Sequence, residues 1–189
     1  MISIKYLRQA CCTAASLLLE PPKEEQMPYI RQLMNAGVTV AKCRQSFFEL
    51  FGFPGSEHYL PLFEHVLLQA QKVGSQWTFP PARYDGAWAV EEEFDRFRFD
   101  WRRYTAHFPT AGGRFLADNV GLLLLFFASL IKDGDYQNKE FSKNYILLHR
   151  QAVDRLAEML SDSPVPYAQL IMAVLNTVQE EIEDFLSIG

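Results

Sequence analysis

The side chains best suited to bind a metal or move a proton near neutral pH are four histidines and three cysteines. Three potential ligands stand close together in the sequence: His58, Glu64 and His65. On a helix, His58 and His65 would lie two turns apart on one face, whereas the adjacent Glu64 and His65 would face different sides. The cluster keeps a helical metal-dependent enzyme open as an alternative function, although polar residues at a helix start are the commoner explanation.

The other reactive residues form no catalytic pattern. The sequence contains no GxSxG, P-loop, HExxH, or GxGxxG placed before a strand. His107 and His149 are isolated, and we interpret each as a hydrogen-bonded surface or boundary histidine. Cys11, Cys12 and Cys43 are odd in number and lack metal-ligand spacing, which predicts buried free thiols. We therefore expect a protein that is not an enzyme and that holds no metal or organic cofactor.

A polar pair, Asp118 and Asn119, precedes residues 122–131, which are apolar on every side. A helix without a polar face must be surrounded by protein or by lipid, and crossing a bilayer takes about 20 apolar residues. This segment is shorter, so it predicts the central helix of a protein core and no stable membrane insertion. Because an Asp can accept backbone N–H bonds at a helix start, we expect the Asp118 carboxylate where the core helix meets the surface.

Helical periodicity runs through almost the whole chain, and prolines and glycines fall between the helical blocks, which predicts an all-α fold. The connection at 74–86 is rich in aromatic residues, so we expect it to pack on the helices. The predicted elements are a helix at 4–19, a short element up to Ala36 closed by Gly37, and helices at 38–51, 60–73, 88–107, 122–131, 141–160 and 170–185.

Length and charge narrow the class of protein. The 189 residues suit one domain, a single helical bundle spanning 1–189. The net charge is −5 and the basic residues are interspersed with acidic ones, which argues against a nucleic-acid partner. Lys5 and Arg8 precede an apolar stretch as in a secretory signal, but residues 20–22 replace the small-residue cleavage site. We therefore interpret 4–19 as the first helix of a cytoplasmic protein.

Taken in order, several segments resemble the TorD/DmsD/NarJ family of chaperones for molybdopterin oxidoreductases, also called redox enzyme maturation proteins. Residues 15–22 resemble the family's first helix running into a proline-containing break. Residues 48–54 are similar to its aromatic-x-x-Leu-Phe-x-Gly segment, and 60–66 to a helix start of the NarJ branch. Residues 141–149 and 163–170 resemble the family's penultimate helix and the start of its last one.

The most diagnostic motif of that family is Pro-Asp-His followed by an apolar helix that contains an acid. Residues 117–122 occupy its place here, with Asn119 where the motif has histidine and leucines 122–125 where the acid is expected. Asparagine donates and accepts hydrogen bonds but does not titrate near neutrality. A property that depends on the histidine of the motif therefore does not follow from the resemblance.

The resemblance implies that the chain binds the N-terminal twin-arginine signal or tail of a molybdopterin oxidoreductase catalytic subunit until the cofactor is inserted. Such a signal offers two guanidinium groups followed by an apolar segment, so its receptor needs carboxylates beside an apolar groove. We expect Asp118 and Asn119 to contact the peptide, and Tyr84, Trp88 and Phe115 to line the adjacent groove.

Other properties stay open at this stage. Six acidic residues and no Lys or Arg follow Arg155, which predicts a local negative field or a solvated helix face. A permanent accessory subunit of an oxidoreductase remains a second alternative function. The sequence distinguishes neither a monomer from a domain-swapped dimer nor one client reductase from another.

Overall fold

The computed structural model describes residues 4–34, 38–104, 116–131 and 139–187, and these are mostly helical, which confirms the all-α prediction. A two-stranded antiparallel hairpin is the strand content of these ranges, and none of their helices is both long and apolar enough to cross a membrane. The elements are α1 (Ile4–Leu19), α2 (Met27–Leu33), α3 (Val40–Phe47), α4 (Glu64–Gln69), β1 (Gln71–Val73), β2 (Gln76–Thr78), α5 (Tyr84–Arg96), α6 (Val120–Leu130), α7 (Lys139–Ser161) and α8 (Pro166–Ser187).

Helix α6 is the core helix that the sequence predicts. All of its residues except Leu125 and Ser129 are buried. It packs against α1 and α7, and α8 also packs against α1 and α7, so these four helices close around one core. A Cβ on Gly121 would lie 2.7 Å from Leu19 Cγ, so a glycine is needed where α6 begins against the end of α1.

The two C-terminal helices follow the predicted break, because α7 ends before Ser163 and α8 begins at Pro166, a favoured first helical residue. The apolar faces of both helices are buried, except at one position of α7. Leu148, which the periodicity assigns to the buried face of α7, is 66% exposed, and His149 is buried instead. The expectation for the cysteines is wrong at one position, since Cys11 and Cys43 are buried while Cys12 is exposed; all three are free.

The predicted helix over 60–73 is wrong at both ends. Its first residues are extended, and after α4 the chain forms the hairpin of β1 and β2, with Gly74 in the left-handed region at φ 64°. Tertiary contacts explain the difference: the Trp77 indole N–H donates to Asp162 at 3.1 Å, and the Arg155 guanidinium lies 4.5 Å from the Trp77 ring centroid. The aromatic connection thus packs on α7, as the sequence predicts.

The predicted helix over 88–107 is also wrong. Helix α5 begins earlier, at Tyr84, and ends at Arg96, because Arg98 adopts a φ of 54° and the Phe99 N–H bonds to the carbonyl of Phe94 at 2.8 Å. The Phe94 and Phe99 rings then pack edge to face at 5.0 Å. Outside the described residues lie Ala36, Gly37, the end of this predicted helix with His107, the site candidate Phe115, and residues 133–135, whose sequence Asp-Gly-Asp predicts a turn.

Candidate functional site

The start of α4 is joined to the segment that leads into α6. The Val120 N–H donates to the carbonyl of Leu62 at 2.8 Å, and the Glu64 N–H donates to the carbonyl of Asp118 at 2.9 Å. These bonds form an isolated antiparallel bridge between residues 63 and 119. The bridge fixes the first side chains of α4 beside the entrance to the most buried helix.

His65 connects the buried Asp118 to the start of α5. Asp118 is 1% exposed, and its Oδ2 lies 3.0 Å from the His65 backbone N and 2.5 Å from His65 Nδ1. The Arg83 backbone N–H donates to His65 Nε2 at 2.9 Å. Because Nε2 accepts this bond, it carries no proton, and Nδ1 is the nitrogen that donates to the carboxylate. His65 of α4 therefore uses one ring nitrogen to bond the segment before α6 and the other to bond the start of α5.

Gly86 lets the first turn of α5 approach this histidine. A Cβ at that position would lie 2.5 Å from Cγ of His65 and 2.9 Å from its Cβ. On its other side the imidazole stacks on Phe63, with ring centroids 6.4 Å apart and an interplanar angle of 22°. The ring is thus held by packing as well as by hydrogen bonds.

A second pair of histidine and carboxylate lies next to the first. His149 on α7 is 3% exposed, and its Nδ1 lies 2.9 Å from both carboxylate oxygens of Glu64. The Tyr145 ring packs against the imidazole with centroids 4.4 Å apart. Burial, and then the charges of Glu93 and Glu64, raise the pKa of Tyr145 well above its usual range, so its hydroxyl remains protonated.

Several buried polar atoms of the described residues have no hydrogen-bond partner. Leaving such an atom unpaired costs about 1 to 3 kcal/mol, so a group of them is unusual in a region that serves only stability. They are Glu93 Oε2, Trp101 Nε1, Asp118 Oδ1, Asn119 Nδ2, Tyr145 OH and His149 Nε2.

The two central residues of the predicted site occupy other roles than expected. Asn119, not Asp118, is the N-cap of α6: its backbone is extended and its side-chain oxygen accepts the Gly121 N–H at 2.9 Å. Both residues are buried, so the Asp118 carboxylate does not stand at the surface as the sequence analysis expects.

The two aromatic candidates on α5 are exposed. Tyr84 is 51% and Trp88 57% exposed. They are four residues apart and so share one face of the helix. Arg83 and Gly86 contact His65, and Gly86 is two residues from both Tyr84 and Trp88, so the aromatic face points away from His65 and Asp118. The width of α5 therefore separates Tyr84 and Trp88 from Asp118.

The alternative metal cluster is not assembled. His58 Nε2 pairs with Glu57 at 3.5 Å and lines a cavity of about 310 Å³ together with Trp77 and Asp162. Glu64 and His65 have the other partners described above. Over the described ranges, no three His, Cys, Asp or Glu side chains are grouped as a metal would require.

Sequence reasoning missed His149, Glu93, Tyr145 and Gly86 as parts of this region. One signal was present for His149: it follows Phe141 and Tyr145 at intervals of four, so it continues the buried stripe of α7. Nothing in the local sequence distinguishes Glu93 from its exposed neighbour Glu92.

The acidic C-terminal segment is partly neutralised by the chain's own cations, which weakens the local negative field that the sequence predicts. The pairs are Glu158 with Arg155, Asp162 with Lys72, and Glu183 with Arg150.

Comparison of the chain with protein-family models, with curated proteins and with solved structures gives no match in any of the three. The function therefore has to be argued from the geometry of the region between α4, α5, α6 and α7.

Proposed function

We propose that this chain is a cytoplasmic chaperone of the TorD/DmsD/NarJ kind. It binds the N-terminal signal or tail of a molybdopterin oxidoreductase subunit and assists cofactor insertion and assembly before export. The observation that carries the proposal is the exposed aromatic face of α5, formed by Tyr84 and Trp88, on a helix whose opposite side is held by His65 and Asp118.

This face has the chemistry that the peptide needs. Tyrosine and tryptophan contribute large contact areas at small conformational cost, and they are frequent among residues that dominate binding energy. The Tyr84 hydroxyl donates to Glu91 at 2.5 Å, which fixes its ring on the surface. An apolar segment of the client packs on the two rings, and its basic residues lie toward the carboxylates that are exposed on the same helix.

Burial changes the role of the motif residues within the proposal. Asp118 bonds to His65, and His65 bonds to the backbone at the start of α5. Asp118 therefore fixes the position of α5 from the side opposite its aromatic face. Asn119 caps α6, and its replacement by Ala should cost about 0.5 to 2 kcal/mol of stability. Asn119→Ala would therefore change stability in addition to any effect on binding, and a surface variant gives a cleaner test.

The test is a titration with the N-terminal peptide of the client, identified by co-purification from native cells. Trp88→Ala should weaken binding by about tenfold, as for an aromatic residue central to an interface, and leave the melting temperature nearly unchanged. Tyr6→Ala is the control, because Tyr6 is 64% exposed on α1. Equal affinities for Trp88→Ala and the wild type would refute the proposed surface. A client complex that persists after cofactor loading would indicate a permanent accessory subunit instead.

A further inference from the structure

A cavity of about 310 Å³ lies between the segment that precedes α4, the hairpin of β1 and β2, and the end of α7. We call it the hairpin cavity. Its aromatic and buried apolar lining residues are Tyr59, Leu60, Trp77, Phe79 and Met159. A cavity lined by apolar and aromatic side chains with a few polar groups is the usual form of a small-molecule site. Its lining includes no described residue of α5, so a ligand here is independent of the proposed function.

The charged side chains that line the hairpin cavity are carboxylates. Glu57 lies before α4 with His58 at 3.5 Å, and Asp162 follows the end of α7. No Lys or Arg of the described ranges lines the cavity. The hydrogen bond from Lys72, which approaches from outside the cavity, lowers the pKa of Asp162, so this carboxylate is ionised at neutral pH. The cavity therefore favours a ligand that carries positive charge.

Asp162 uses one of its two carboxylate oxygens. Its Oδ2 accepts from Lys72 Nζ at 2.7 Å and from the Trp77 indole N–H at 3.1 Å. Its Oδ1 accepts from none of the described residues, although each oxygen of an ionised carboxylate has two lone pairs. An incoming ammonium group can therefore bond to Oδ1 without displacing Lys72 or Trp77.

The aromatic walls of the cavity suit an ammonium group joined to an aliphatic chain. The Trp77 ring already attracts two cations of the chain, with Lys72 Nζ at 5.4 Å and the Arg155 guanidinium at 4.5 Å from the ring centroid. Tyr59 and Phe79 supply further rings to the lining. Aromatic faces attract cations, and methylene chains pack on apolar surfaces while their charged ends remain polar.

We propose that the hairpin cavity binds a short aliphatic diamine. One ammonium group bonds to Asp162 Oδ1, the methylene groups pack on Tyr59 and Phe79, and the second ammonium group faces Glu57. The two charges of the ligand match two carboxylates that come from different walls of the cavity. Its aliphatic middle matches the aromatic and apolar lining between them.

The probe is putrescine, which is butane with an amino group at each end. Butylamine is the matched compound with one charge, and butanediol with terminal hydroxyls is the neutral one. Binding is followed by calorimetry and by the indole N–H NMR signal of Trp77, which bonds to the same carboxylate as the ligand. The indole signals of Trp88 and Trp101 are internal controls, because neither residue lines the cavity.

We expect putrescine to shift the Trp77 signal alone, and affinity to fall from putrescine to butylamine to butanediol. Asp162→Asn should weaken putrescine and butylamine by roughly tenfold, as for one charge-assisted hydrogen bond. Glu57→Gln should weaken putrescine by roughly threefold, since an exposed carboxylate contributes less, and should leave butylamine unchanged. The exposed Glu92→Gln is the control and should change neither affinity.

A fourth variant should act in the opposite direction. Lys72→Gln removes a positive charge beside Asp162, so it should strengthen putrescine binding by roughly threefold. A cavity wall that only stabilises the hairpin predicts no gain in affinity from this change. The melting temperature of each variant is measured in parallel, so that a folding defect is not mistaken for a loss of binding.

Three results overturn the proposal: an unshifted Trp77 signal with putrescine, equal affinities for putrescine and butanediol, or wild-type affinity in a folded Asp162→Asn variant. An equal loss for putrescine and butylamine in Glu57→Gln would refute the contact of the second ammonium group, and with it the choice of a diamine. These outcomes leave the Trp88→Ala test of the client-binding face unaffected.

Discussion

Two regions of this molecule differ in whether a buried tyrosine hydroxyl is hydrogen-bonded. Where α1 packs on α8, the fully buried Tyr167 hydroxyl donates to the Leu17 carbonyl at 3.2 Å. Between α4, α5 and α7, the similarly buried Tyr145 hydroxyl has no hydrogen-bond partner among the described residues. Unpaired groups lower stability, so they persist where another requirement outweighs it. The first region therefore uses its buried hydroxyl to stabilise the fold, whereas the second has hydrogen-bonding capacity that no described residue uses.

The largest expected effect tests the core. Leu124 of α6 is 1% exposed, so Leu124→Asp buries a charge without a partner and should cost several kcal/mol, leaving little folded protein. Leu148→Asp is the control, because the exposed Leu148 should tolerate the same change with almost no loss. The yield of soluble protein and the urea midpoint measure both. If Leu124→Asp were as stable as Leu148→Asp, α6 would not be the core helix.

An intermediate effect tests the contact between α5 and His65. Gly86→Ala places a Cβ 2.5 Å from His65 Cγ, which is too close, so α5 or the ring must shift. Overpacking of this kind costs about 1 to 3 kcal/mol, and the better helix propensity of Ala returns at most about 1 kcal/mol.

Gly55→Ala is the control for this glycine. Its Cβ meets only the tip of the exposed Phe53 ring, at 2.9 Å, and that ring can rotate away. Chemical denaturation compares the two variants, and the His65 NMR signals report the displaced ring. Equal stability and unchanged His65 signals in Gly86→Ala would show that α5 is not held against this histidine.

The smallest expected effect is a change in the free energy of unfolding that differs in direction between the two regions. Tyr167→Phe removes a satisfied hydrogen bond and should lower the free energy of unfolding by about 1 kcal/mol. Tyr145→Phe removes a hydroxyl that bonds to none of the described residues, so stability should be unchanged or slightly higher. Thermal denaturation of both variants at one pH makes the measurement. A loss at Tyr145 as large as that at Tyr167 would contradict the distinction between the regions.

The sequence predicts the elements whose structure depends on local pattern. The bounds of α1 follow from periodicity and the prolines after it, and α6 follows from its lack of a polar face. The predictions at 60–73 and 88–107 fail because packing of Trp77 on α7 and of Phe99 on Phe94 overrides helical periodicity.

The candidate site was predictable only in part, for a related reason. Asp118 contacts His65, but Tyr84 and Trp88 lie on the side of α5 that faces away from it, because the face that a helix buries is decided by its tertiary contacts. The buried pairing of Glu64 with His149 joins residues that are 85 positions apart in the sequence. Such proximity is a property of the folded chain, and no local pattern encodes it.

The long separations within the site also determine when it forms. His65 and Asp118 close a loop of 53 residues, and Glu64 and His149 close one of 85. Closing such a loop costs conformational entropy before the new contacts stabilise it. Pairings between residues so far apart in the sequence are therefore expected late in folding, after the local helices. During synthesis, the Glu64 pairing also waits until α7 has left the ribosome. A chain truncated before α7, or only partly folded, would therefore lack the pairing of Glu64 with His149 and leave both side chains exposed to water.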